Sequence, residues 1–123
     1  MAGHKLSPNQ QRKVDTIHDY QMTVVHVKRL VAELDSNRAA NSKIIDNICA
    51  TIARELSQLR QKAMTAPVGT VGDVAGSLGV LAARGGSGLA FKIRGLNDGV
   101  NTLTMQLDAA MKSAMQPEKE KKP

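Results

Sequence analysis

The sequence predicts an all-α protein, an antiparallel helical bundle of long, coiled-coil-like amphipathic helices with a glycine-rich helical element at its centre. Three observations carry that expectation. Apolar residues recur every seven positions in two separate stretches, the period of a helix seam. Tyr20 and Phe91 are the only aromatics among 123 residues, so a core has to be made from Ile, Val, Leu, Met and Ala, side chains suited to helix-on-helix packing. Nine of the ten glycines fall between Gly69 and Gly99, which confines the unusual composition to one region.

Residues 1–7 are expected to form a flexible N-terminus. Pro8 after Ser7 suits a helix start, because the first-turn N–H that proline lacks has no helical partner anyway. From there Ile17, Val24 and Val31 occupy one heptad position and Tyr20, Val27 and Leu34 the position three residues later, with β-branched side chains at the first. The stretch DSNRAANS, Asp35 to Ser42, admits two readings. It is a turn with Ser42 capping a second helix, or it lies within one unbroken helix from Pro8 to Met64. The heptad phase permits the second, since Ile45, Ile48, Ile52 and Leu59 return in register and Arg38 with Asn41 would form a polar layer. Glu55 and Lys62 interrupt the later positions, and Leu56 and Ala63 beside them take over the seam. Cys49 falls next to Ile45, Ile48 and Ile52 and reads as a small core residue.

Pro67 ends this segment, because the residue before a proline is biased away from helical dihedrals. Residues 66–91 form a glycine-rich apolar connector or short helix with only two charges, Asp73 and Arg84. Gly69, Gly72, Gly76 and Gly79 are spaced to share one helix face, and Val71, Ala75, Leu78 and Ala82 form an apolar stripe beside them. Four glycines oppose helicity by roughly 4 kcal/mol relative to alanine, so a helix here needs a compensating close approach by another backbone. Arg84 to Gly88 then reads as the turn into a final heptad helix, residues 89–115. Its seam is the most regular in the chain, with Ile93, Val100 and Leu107 in one position and Leu96 and Leu103 in the other. Residues 116–123 are expected to be a charged, disordered tail.

Composition narrows function less than fold. The 17 Lys and Arg against 11 Asp and Glu give a net charge of +6, but it is spread along the chain. Residues 1–43 carry +3, residues 44–65 and 66–92 carry +1 each, residues 93–115 are neutral and the tail is +1. Arg12, Lys13, Lys28 and Arg29 are the nearest thing to anion-contacting clusters. Nucleic-acid binding through them is the less favoured partnership, because single-strand readout also wants aromatic platforms.

Catalytic and metal motifs are missing from the pattern. His18 and His26 are eight residues apart, roughly 12 Å along a helix, too far to share one metal. There is no HExxH or CxxC spacing, and Gly85 to Gly88 lack the strand and the Lys-Ser/Thr of a phosphate loop. The expectation is a protein that is not an enzyme and takes no cofactor and no small-molecule substrate.

Self-association rises above this background. Two heptad stretches and a small-residue stripe need helix partners, supplied by the chain folding back or by other copies. The reading is therefore a non-enzymatic helical self-assembly or adaptor protein, either homo-oligomeric or bound to a helical partner, acting through its coiled-coil-like faces. The alternative is a membrane-inserting protein, pore-forming or otherwise membrane-active, that uses residues 66–91. Its longest uncharged run, Val74 to Ala83, is about half a membrane span. The N-terminus has no apolar segment ahead of its basic residues, so no secretory signal is read, and the single cysteine agrees with a reducing compartment. The cytoplasm is the default location, with membrane association the other.

Overall fold

The computed structural model describes residues 6–84 and 88–116. They form four α-helices and, among the described residues, no strand: α1 (Pro8–Ser36), α2 (Ser42–Thr65), α3 (Val71–Ala83) and α4 (Leu89–Ala114). Of the N-terminal segment expected to be flexible, residues 1–7, only residues 6 and 7 are described. Residues 85–87 of the final turn and residues 117–123 of the tail also lie outside the described residues.

The helix starts follow from local chemistry. Ser7 accepts from the Gln10 N–H at 3.1 Å while its own N–H donates to Gln10 Oε1 at 2.9 Å, a reciprocal capping box ahead of Pro8. The uninterrupted helix from Pro8 to Met64 does not form. The chain turns at residues 37–41, and Asn41 rather than Ser42 caps α2, its side chain accepting from the Ile44 N–H at 3.0 Å. A heptad phase specifies only which face is apolar, so it is preserved equally by a helix that continues and by one that folds back. Burial decides between them: Arg38 and Asn41 stay in solvent, Arg38 paired with Asp35, instead of forming a polar layer in a seam.

Long-range contacts set the topology. Asp19 pairs with Lys62 and the Tyr20 hydroxyl donates to the Ala66 carbonyl at 2.8 Å, so α1 and α2 run antiparallel. Gln10 donates to the Gln116 carbonyl and Gln21 to Asp108, which sets α4 antiparallel to α1. The helices pack around a square, α1 on α2, α2 on α3, α3 on α4 and α4 on α1, with no close backbone approach across either diagonal. The result is an up-down-up-down bundle. One end carries the α1–α2 and α3–α4 connections, and the other carries the α2–α3 connection with the start of α1 and the end of α4.

Both heptad seams close inside the chain. Ile17, Tyr20, Val24, Val27, Val31 and Leu34 from α1, and Ile93, Leu96, Val100, Leu103 and Leu107 from α4, are each no more than 2% exposed. Leu56 and Ala63 take the α2 seam past Glu55 and Lys62, and Cys49 is buried with them.

The glycine-rich segment is a helix and not a loop, with its stripe shifted by one member. Gly69 lies in the turn before α3, with φ at +51° and nothing near enough to meet a side chain. It serves a left-handed backbone there and not helix packing. Gly72, Gly76 and Gly79 face α2. A Cβ on Gly72 would stand 3.1 Å from the Ala63 Cβ, and one on Gly76 would stand 2.8 Å from the Arg60 Cδ. Val71, Ala75, Leu78 and Ala82 turn into the core. On its other flank α3 meets two glycines of α4: a Cβ on Gly95 would come within 2.6 Å of Leu81 Cδ2, and one on Gly99 would overlap the Leu78 side chain.

Two predictions follow from this packing. Gly79 has only ordinary van der Waals neighbours, at 3.7 Å and 3.8 Å, so Gly79→Ala should leave stability unchanged or raise it by about 0.5–1 kcal/mol through helix propensity. Gly99→Ala should instead lower it by about 1–3 kcal/mol through overpacking against Leu78. Thermal unfolding followed by circular dichroism ranks the two. Tyr20 supplies a pH dependence: burial, and secondarily the Asp19 carboxylate, raise its phenol above the ordinary 10.0. Folding thus holds the proton that the unfolded chain releases near pH 10, and its stabilisation is present below that pH and fades as pH rises through and beyond it. Tyr20→Phe should cost about 1 kcal/mol at neutral pH and flatten the alkaline loss of stability, as read from denaturant melts between neutral and strongly alkaline pH.

Candidate functional site

The residues singled out by the heptads form a core and not an open surface. Each expected assembly-seam residue of α1 and α4 is spent on a neighbouring helix of the same chain. The apolar stripe of α3 is spent likewise, and its glycine face is covered by α2 through Ala63, Arg60 and Leu56. Insertion of this segment into a bilayer would require α3 to leave both neighbours. No described helix is long and apolar enough to cross a membrane.

The four basic residues are not brought together. Arg12 and Lys13 sit at the open end of α1, where Asp15, Asp19 and Lys62 share the surface with Arg12. Lys28 and Arg29 lie sixteen residues further along the same rod, roughly 24 Å away. All four are exposed and none makes an ion pair; the two among the described residues are Arg38 with Asp35 and Lys62 with Asp19, both at the surface. Exposed pairs of this kind contribute well under about 1 kcal/mol each. His18 and His26 stand on the exposed side of α1, and among the described residues no group of three or more His, Cys, Asp or Glu is arranged to hold a metal ion.

What remains open is surface that the heptads did not mark. Between α1 and α4 runs a groove of about 260 Å³, floored by Val24 and Leu107 and edged by His18, Met22, Val25 and Thr104. Met22 is 56% exposed and Val25 44% exposed. The Gln21 amide bridges the two helices by donating to Asp108 at 3.1 Å. A second, shallower groove of about 720 Å³ lies between α2 and α3, where Ser57, Gly76 and Gly79 leave room and Arg60 lies across Gly76.

Sequence reasoning passed over several of these residues. Met22 and Val25 occupy outward heptad positions, and an apolar residue off the seam is the signal that points to such a groove. Gly95 and Gly99 were legible as glycines four apart inside a strong heptad helix, a spacing that predicts a notch for a neighbour. Gln10 is buried because it both closes the capping box and ties α1 to the end of α4 at Gln116.

Fold and surface together define a small up-down-up-down four-helix bundle. No protein-family model, no curated protein and no solved structure matches the chain.

The thiol offers a direct check of the interior. Cys49 is buried, and burial, only partly opposed by the Lys92 ammonium and reinforced by Asp46, raises its pKa above the ordinary thiol value. A thiol held protonated and out of solvent is a poor nucleophile. Alkylation by iodoacetamide at pH 8 should be slow in the folded protein and at least about a hundredfold faster in denaturant, the ratio reporting the opening equilibrium.

Proposed function

We propose that the protein is a non-enzymatic helical assembly module that associates through the outer α1–α4 groove, its first partner being a second copy of itself. The observation that carries this reading is the pairing of a recess with prominent apolar side chains on one surface. Met22 and Val25 project beside the groove floored by Val24 and Leu107. A two-fold interface uses one patch on both subunits, so knob and hole must sit on the same face, as they do here. Methionine suits the role because its unbranched, polarizable side chain adapts to an opposing helix. An amphipathic helix of another protein would engage the same groove by the same chemistry. Of the heptad seams only Val24 and Leu107 touch the groove, as its floor, and the rest are buried within one chain.

Mass in solution tests it. The wild-type protein should exceed the monomer mass of 13.2 kDa by light scattering at micromolar concentrations, and Met22→Asp with Val25→Asp should return it to monomer with unchanged helicity. A wild-type protein that stays monomeric across that range defeats self-assembly through this groove.

A further inference from the structure

The end of the bundle that carries the α1–α2 and α3–α4 connections concentrates charge that is scattered in the sequence. Arg38 is paired there with Asp35. Lys92, 9% exposed, and the exposed Asp46 bring opposite charges to this end beside Cys49. Lys28 and Arg29 near the end of α1 are balanced by Glu33 and Asp98, all exposed, which leaves Lys43, Arg84 and Arg94 as an exposed excess that makes no ion pair among the described residues. At the opposite end Asp15, Asp19, Asp73 and Asp108 offset all but one of five described basic residues, Arg12, Lys13, Arg60, Lys62 and Lys112.

Each of these three cations stands beside an exposed apolar residue. Val80 is 59% exposed in the last turn of α3, four residues before Arg84, and Phe91 is 63% exposed in the first turn of α4, three residues before Arg94. The second spacing puts Phe91 and Arg94 on one helix face, while Arg84 is the extended C-cap of α3 just past the turn that carries Val80. Ile44, also exposed, follows Lys43 in the first turn of α2. Phe91 is one of two aromatics in the chain, and the other, Tyr20, is buried.

We propose that this end of the bundle docks on an anionic lipid surface, with Val80, Phe91 and Ile44 entering the headgroup layer and Lys43, Arg84 and Arg94 meeting lipid phosphates. Apolar tips interleaved with cations are the arrangement an interfacial anchor needs, combining shallow burial with attraction to negative headgroups. Contact with a nucleic-acid backbone would use the cations and leave the three apolar tips without a role. Docking is end-on and leaves the helices packed, so it needs no unfolding of α3. The inference is independent of the α1–α4 groove, which involves none of these residues.

Co-sedimentation of the full chain with vesicles tests it. The protein should pellet with mixed phosphatidylcholine–phosphatidylglycerol vesicles, fail to pellet with phosphatidylcholine alone, and be released by salt. Partitioning should fall about fivefold for each unit of positive charge removed, so Arg84→Glu with Arg94→Glu should abolish it. Phe91→Ser should lower it about tenfold, the effect of withdrawing one aromatic from the interface. Lys112→Glu at the far end should change it little, and circular dichroism should find every variant as helical as the parent. Four results overturn the proposal: no sedimentation with anionic vesicles, equal losses from Lys112→Glu and Arg94→Glu, leakage of an entrapped dye, which would mean insertion, or duplex DNA displacing the protein from vesicles while Phe91→Ser has no effect.

Discussion

The structure depends on how closely α3 can approach its two neighbours. A thirteen-residue helix is marginal by itself, and its three internal glycines weaken it by about 3 kcal/mol relative to alanine. Two of them, Gly72 and Gly76, lack the Cβ atoms that would press on Ala63 and on the Arg60 side chain of α2. On the opposite flank the relation is inverted, with Leu78 and Leu81 of α3 filling the places left by Gly99 and Gly95 of α4. Small on one side and large into small on the other, α3 is held by packing that neither neighbour supplies alone.

That approach determines where the other elements finish. Because α3 is shorter than its neighbours, α1 and α4 continue past its start, and their ends are tied by Gln10 donating to the Gln116 carbonyl. The turn ahead of α3 is fastened by the Tyr20 hydroxyl on Ala66 and by Gln106 donating to the Thr70 hydroxyl at 2.7 Å. Its tight reversal falls at Gly69, where a left-handed backbone conformation excludes most side chains. The bundle thereby consumes its seams internally. Association with anything else is left to outward positions such as Met22, Met105, Val80 and Phe91, which contribute little to the fold and are free to serve a partner.

Much of the architecture was legible before folding. Helix faces could be read from the seven-residue spacing of Ile17, Val24 and Val31 and of Ile93, Val100 and Leu107, and the substitution of Leu56 and Ala63 for Glu55 and Lys62 could be read from their adjacency. The break after Ser36 could not, because periodicity is indifferent to whether a helix continues or reverses. The role of Gly69 was misread for a related reason: equal spacing along the sequence does not reveal that the helix begins two residues later. The candidate surfaces were the least legible, since they join residues of different helices, His18 and Met22 with Thr104, or Arg84 with Lys43.

By itself the sequence determined the helical class, the buried face of each long helix and the demand for a close backbone approach near residues 72–79. These are local properties, set by side-chain period, propensity and the missing Cβ of glycine. Only the tertiary structure decided that the seams close within one chain, that glycines of α4 receive leucines of α3, and that the larger positive excess falls at one end. Each of those depends on which helix lies beside which and in what register. A periodic pattern leaves that choice open, and packing volume settles it.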